Sequence, residues 1–393
     1  MPFLRGRSEG KIKSHRALAY PGRMHYFRVM SKAPLPSAKP QAGSVVLVQS
    51  HPALRVVTLN RPQVVNSLNL AMVRSLRQAL EEARETPGVK MVLLKGAGER
   101  GFCAGADLKA LAQVVGSRDW ERAHRFFQEE YDLDLLIHEF PKTVVVLADG
   151  ITMGGGLGLA AGADLVVATE RTRMAMPETL IGFFPDVGAT GWLFSKCPPG
   201  YPEFLALTGM EMVGREAVRV GLATHFLPSQ GLPEFLADCP SLASRLPGDK
   251  NEAAAWLDNS LQARWASDIT PRPELDAWVE AHFAGKTSVA EIIASVDRCA
   301  EQNQFCQEIA RRMAARSPTA LTLTLALLRR HEGRPLKEIF AGEAQAADWI
   351  IRQPDYLEGI RARIIDKDHH PQWQPASLAE VRLDFLRRKG NVL

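Results

Sequence analysis

The stretch Thr143–Thr169, TVVVLADGITMGGGLGLAAGADLVVAT, carries the pattern that decides the fold. Five of its first six residues are apolar and three of them are valine, as a strand buried on both faces requires. Asp149–Gly156 interrupts that run with a glycine-rich turn, and from Leu157 small residues continue as a closely packed helix. Asp164–Thr169 (DLVVAT) is then a second strand. A strand, a turn opening a helix, and another wholly apolar strand are the grammar of a parallel sheet covered by helices.

The same grammar extends outward. Val45–Pro62 (VVLVQSHPALRVVTLNRP) reads as two strands with a turn at His51–Pro52, and Asn66–Arg84 has the apolar spacing of an amphipathic helix. Val89–Gly96 is a buried strand, Gly98–Asp107 a loop, and a helix follows from about Leu108. Phe127–Ile137 is a further helix leading back to Thr143. From about Pro202 the pattern is almost wholly helical. Ser317-Pro318-Thr319 has the N-cap and first-turn proline of a helix start, and further helices are expected at Leu336–Ile351 and Asp355–Asp366. Pro247–Lys286 is poorly periodic, and the last 25 residues read as a tail over the surface. Three regions follow: a leader and linker over 1–44, an α/β core over 45–228, and a mainly helical region over 229–393.

Composition narrows the function. Residues 1–40 hold nine Lys/Arg against one acid, more than the chain's whole formal excess of +4. The folded body is therefore without the basic bias of a nucleic-acid binder. No run of 18 apolar residues suggests a membrane span. The leader is Arg-rich and acid-poor, as transit peptides are, but the plainer reading is a disordered leader or sequence upstream of a start at Met24 or Met30. Accordingly the cytoplasm is expected if the chain is bacterial, and the mitochondrial matrix if the leader is a transit peptide. The five cysteines, at 103, 197, 239, 299 and 306, fit neither a disulfide framework nor a zinc site, which favours a reducing compartment. The histidines form no metal-binding spacing, Gly154–Gly158 does not match a dinucleotide fingerprint, and Ser67 and Ser195 lie in no nucleophile elbow. Cys103 is read as a small buried residue rather than a nucleophile.

Two loops share a design. Phe102-Cys103-Ala104-Gly105-Ala106-Asp107 and Met153-Gly154-Gly155-Gly156 each run into a helix, where the first N–H groups lack internal partners and the dipole favours negative charge. Side by side, two such turns aim N–H donors at one oxygen, an oxyanion hole suited to thioester carbonyls. Alternatively the glycines serve only tight turns and close packing. Two acids then fall in one apolar segment, MAMPETLIGFFPDVG (174–188), each after a proline: Glu178 and Asp186. Acids amid apolar residues are costly unless paired or used, and two in one pocket are pushed to different pKa values. Solvated loop acids or helix caps are the other reading.

Val57–Leu68 (VTLNRPQVVNSL), Gly101–Lys109 (GFCAGADLK), Asp149–Gly158 (DGITMGGGLG) and Met176–Gly188 resemble the signatures of the crotonase superfamily, in order and at suitable separations. Phe126–Tyr131 (FFQEEY), SPTALTLTLALLR (317–329) and Tyr356–Pro375 (YLEGIRARIIDKDHHPQWQP) resemble its 3-hydroxyisobutyryl-CoA hydrolase branch. The resemblance implies an α/β fold, a crotonase-type spiral of ββα units with a helical C-terminal region. It implies that the Ala106 and Gly155 N–H groups hold the thioester oxygen, and that Glu178 and Asp186 are catalytic. Glu130, Asp107, Leu108 and Lys109 become substrate-binding positions, Glu130 at the acyl end. The partner is an acyl-CoA substrate. Coenzyme A is part of that substrate, and no separate cofactor or metal is implied. A homo-oligomer is compatible with the sequence.

Two departures from the branch pattern stand out: Ala106 where CAGGD has glycine, and Ala189-Thr190 where a glycine pair follows DVG. Against the hydratases of the superfamily, which place a glutamate two residues after GGG, this chain has Gly158, and it has Asp186 where they have glycine. Losing one acid and gaining the other is the hydrolase arrangement. A hydratase or isomerase of the same fold, and a non-catalytic structural subunit, are the alternatives.

Overall fold

A computed structural model describes residues 43–387 apart from 263, 264, 266, 267 and 302. All but the last two residues of the expected leader and linker lie outside that range. Among the described residues, ten strands form two sheets. The larger takes β1 (Val46–Ser50), β2 (Leu54–Leu59), β3 (Met91–Gly96), β5 (Thr143–Ala148), β7 (Leu165–Ala168) and β10 (His225–Phe226) in that spatial order. Only its β1–β2 hairpin is antiparallel. The smaller sheet takes β4 (Gly101–Cys103), β6 (Ile151–Met153), β8 (Arg173–Ala175) and β9 (Met212–Val213). Each winding of the chain lays one strand in the large sheet and one in the small sheet before turning, so that β3–β4, β5–β6 and β7–β8 are successive turns of a spiral.

This winding positions the site. Strands β4, β6 and β8 are parallel neighbours, with Cys103 opposite Thr152 and Met153 opposite Ala175. Their C-terminal ends therefore lie side by side, although they are far apart in sequence. The first feeds α2 (Leu108–Gly116), the second feeds the short helix Gly155–Ala161, and the third feeds the Glu178 turn. Two further helices pack over this region: α1 (Leu70–Glu85), capped by Asn69, and α3 (Trp120–His138), capped by Asp119. The structure starts α1 four residues later than the periodicity predicts. Asn66 instead adopts φ +54° and uses its amide to bind the Arg61 N–H and the carbonyls of Ala97 and Gly101.

After β10 the described residues contain helices and turns but no strand. The poorly periodic stretch around 250–283 forms two helices, Lys250–Gln262 and Pro273–Phe283. Ser317 caps Pro318–His331 as its sequence predicts, accepting from the Ala320 N–H at 3.0 Å. The final helices close onto the spiral. Pro354–Ile360 packs so tightly on the turn after Glu178 that a Cβ at Gly359 would strike the backbone of Ile181, at 2.5 Å from its Cα. One expectation fails here: Cys299 and Cys306, seven apart, are joined as a disulfide between the helices Val289–Ala300 and Gln304–Ala314. The hairpin fold of that helix pair brings together two cysteines whose spacing alone gives no such signal.

Candidate active site

A cavity of about 370 Å³ opens where the ends of β4, β6 and β8 meet. Ala106, Leu108, Glu130, Gly155, Glu178 and Asp186 all line it. Six of the eight residues singled out by sequence thus converge. Asp107 and Lys109 are not among its lining residues; Asp107 caps α2 through the Ala110 N–H and pairs with Arg61 at 2.8 Å.

The donors are built from backbone. Leu68 donates to the Gly105 carbonyl and accepts from the Asp107 N–H, which leaves the intervening Ala106 N–H outside that bridge. Gly155 is the first residue of its helix, so its N–H has no partner a turn back. The two loops touch. A Cβ on Gly105, whose φ is +85°, would sit 3.2 Å from the Gly155 nitrogen. Gly154 has φ +52° and ψ −127°, a conformation that only glycine adopts readily, and it turns the chain from β6 into the helix. Cys103 lies beneath, buried and bonded to the Asn66 carbonyl; burial pushes its thiol up to about 12, so it is packing and not a nucleophile.

Two carboxyls flank the Gly154–Gly155 peptide. Glu178 Oε1 lies 2.7 Å from where a Gly154 Cβ would be, and Glu130 Oε1 fills the space that a Gly155 Cβ would need. Glu178 Oε2 and Glu130 Oε1 are buried without a hydrogen-bond partner, as reserved polar atoms facing a ligand cavity would be. Asp186, also buried, accepts a 2.7 Å hydrogen bond from the Tyr131 hydroxyl. Burial holds Glu178 well above the usual carboxylate range, and the nearby Asp186 adds to this. Glu130 is raised by the same two causes in the same order. Burial carries Asp186 itself up to about 7, against the lowering effect of the Tyr131 bond. Burial thus favours the protonated form of all three carboxyls, and the charge state of Asp186 bears on the other two.

The structure also explains Gly158. A Cβ there would sit 2.6 Å from Val187 Cβ, because the side chain after Asp186 occupies that space. Any side chain at 158 would therefore have to displace Val187, the neighbour of Asp186.

Sequence reasoning missed two groups. Glu343, from the helix Leu336–Ile350, is fully buried and accepts from the N–H groups of Gly188 (2.6 Å) and Thr190 (3.2 Å) and from the Thr190 hydroxyl (2.5 Å). The same hydroxyl also lies 2.8 Å from His331 Nδ1, within hydrogen-bond distance. The carboxyl so clamps the loop that carries Asp186, and Thr190 finds both its partners there. The only signal was an acid in an apolar helix. Asp134, one turn beyond Glu130 on α3, is buried with neither oxygen partnered.

These buried acids make a pH prediction. An acid whose pKa is raised by folding binds its proton more tightly in the folded state. Its contribution is intact below the unfolded pKa and is lost as pH rises through the folded value. For Asp186 that window runs from 3.8 to about 7, and for Glu343 from 4.5 to about 8. Asp134 is displaced in the same direction, first by burial and then by Glu130. The melting temperature of the ligand-free protein should fall by several degrees between about pH 4 and about pH 8, and Asp134→Asn should flatten the fall. A melting temperature that rises over that range would contradict this.

Residues 54–388 match the family model described as enoyl-CoA hydratase/isomerase. The chain belongs to that family. It is 37% identical to the 3-hydroxyisobutyryl-CoA hydrolase, mitochondrial, of Gallus gallus over 343 residues, 87% of each chain. It is 35% identical to the protein of the same name from Homo sapiens over 347 residues, 88% of each. Among solved structures, a carnitinyl-CoA dehydratase from Mycobacterium thermoresistibile superposes with a TM-score of 0.78 at 33% identity, covering 89% of this chain and 99% of that one. An enoyl-CoA hydratase from Rhodobacter sphaeroides gives 0.76 at 32%, covering 87% and 95%. The chain therefore has the crotonase fold, and the family to which it belongs binds acyl-CoA substrates. No helix among its described residues is long and apolar enough to cross a membrane.

Proposed function

We propose that this enzyme hydrolyses a short 3-hydroxyacyl-CoA thioester, with 3-hydroxyisobutyryl-CoA as the substrate best supported. One observation carries the reading: Glu178 and Asp186 share the cavity with the paired N–H groups, while Val187 fills the space at Gly158. The names of the curated relatives support the same branch.

The thioester oxygen sits between the Ala106 and Gly155 N–H groups, which stabilise the negative charge that grows on it as the carbonyl carbon becomes tetrahedral. The Glu178 carboxylate begins the reaction. It adds to that carbon itself, or it removes a proton from a water that adds. Collapse of the adduct breaks the C–S bond, and the departing thiolate takes a proton from the acid cluster. In the direct route that proton is the one Glu178 received. In the covalent route Asp186 supplies it, and water then cleaves the glutamyl anhydride. Asp186, oriented by Tyr131, also holds the substrate hydroxyl or the water, and Glu130 contacts the acyl end. Asp107 and Lys109, outside the lining of this cavity, are proposed to act from its flank on the coenzyme A portion.

Free-thiol release from a panel of acyl-CoA thioesters tests the reading. Rapid release is expected from 3-hydroxyisobutyryl-CoA, with slower release from isobutyryl-CoA, which lacks the hydroxyl. No release from any member would remove the hydrolase assignment and leave hydration, isomerisation or a structural role.

A further inference from the structure

Arg363 is the one Lys or Arg among the residues lining the substrate cavity, and the proposed chemistry does not use it. It lies in the widened turn Arg361–Ile365 that continues the helix Pro354–Ile360, closed by the Asp366 N–H to the Arg361 carbonyl. Such π turns recur at functional sites because the extra residue redirects side chains. Arg363 Nε is buried without a hydrogen-bond partner. One terminal nitrogen donates to His369 Nδ1 at 3.1 Å, which requires a neutral imidazole acceptor there. His369 lines the cavity too, and its backbone is held at φ +61° with its N–H bonded to the Ala362 carbonyl.

Asp368 acts on this cation through space, but no acid pairs with it among the described residues. The nearest acid, Asp368, is already committed, one oxygen to Arg361 at 2.6 Å and the other to the His370 N–H at 3.0 Å. A second guanidinium lies close enough for the two to repel: Arg316, only 6% exposed, whose Nε is also unpartnered and which donates to the Thr208 carbonyl. Neither arginine makes an ion pair among the described residues, whereas the neighbouring Arg312 is paired with Glu308. An unpaired guanidinium lining a cavity, with a second, buried one behind it, is costly unless an anion joins it. The three acids of the cavity do not reach them.

We propose that Arg363, backed by Arg316 and steadied by His369, is an anion subsite of this cavity that binds an anionic oxygen group of the substrate. Guanidinium groups suit phosphate and carboxylate equally, through paired N–H donors. The group is therefore either a phosphate of the coenzyme A carrier or a carboxylate on the acyl chain. The inference rests on reading the cavity as a thioester site, but its test needs no turnover.

Calorimetry on the full-length protein and on Arg363→Met would compare three probes: coenzyme A, phosphate-free pantetheine, and the thioether S-(2-carboxyethyl)pantetheine. Loss of a charge-assisted contact should weaken the anionic probe by ~10–100-fold. If the carrier phosphate is the partner, Arg363→Met weakens coenzyme A selectively. If an acyl carboxylate is the partner, the carboxyethyl probe weakens selectively. Pantetheine binding should stay within about twofold in either case, and Arg363→Lys should recover part of the loss, which guards against simple misfolding. Equal weakening of all three probes, or no change in any, would overturn the subsite. A protein that binds these probes as expected yet releases no thiol would count against the proposed reaction and leave the subsite standing.

Discussion

Glu178→Gln is expected to lower kcat for thioester hydrolysis by ~10²–10⁴-fold, the span typical of a positioned acid or base, while binding of free coenzyme A persists. Glutamine keeps the size of the side chain and removes its capacity to accept a proton or to attack. An interaction used only in the transition state should appear in kcat more than in ground-state binding. The local structure should tolerate the change, because Glu178 Oε2 has no partner to lose and the turn is held by backbone bonds such as the Phe183 N–H to the Glu178 carbonyl. Stopped-flow thiol release with parallel calorimetry decides it. Turnover within a few-fold of the unmodified enzyme would remove Glu178 from the chemistry.

Asp186→Gly is the second large effect, with hydrolysis expected to fall by at least ~100-fold. Asp186 is the acid gained relative to the hydratase pattern, and it shares the cavity with Glu178. The variant also strands the Tyr131 hydroxyl, so Asp186→Asn is the needed companion, since its amide oxygen still accepts that bond. If both variants lose activity, the ionisable carboxyl matters. Full activity in Asp186→Asn with loss only in the glycine variant would reduce Asp186 to a structural partner of Tyr131.

The fold was legible where burial is continuous. Thr143–Ala148 reads as a strand because every residue of β5 is buried, leaving an unbroken apolar run. Strands β4 and β6 were hidden inside stretches read as loop and turn, because three residues between glycines carry no periodicity. Yet those short strands are what set Ala106 and Gly155 side by side. Glu178 and Asp186 were legible because both interrupt one apolar segment, whereas Glu130 came only through the family resemblance. Asp107 also came through the resemblance, but its carboxylate serves Arg61 and the α2 cap, a pairing 46 residues apart that no local pattern announces. Glu343 was illegible for a similar reason, lying 155 residues from the Gly188 N–H that it accepts from. The meaning of Gly158 also needed the fold: only packing shows that Val187 stands in its space.

The central claim is that this cavity cleaves a thioester rather than hydrating an alkene. Hydration requires water to be held and a proton delivered at the β-carbon, for which the hydratase pattern supplies a second glutamate; here that position is Gly158 under Val187. The N–H pair serves both reactions and does not discriminate. Side-by-side steady-state kinetics on 3-hydroxyisobutyryl-CoA and crotonyl-CoA test this most directly. Hydrolysis of the first is predicted to exceed hydration of the second by at least ~100-fold in kcat/KM. Hydration that is as fast as hydrolysis, or faster, would contradict the account.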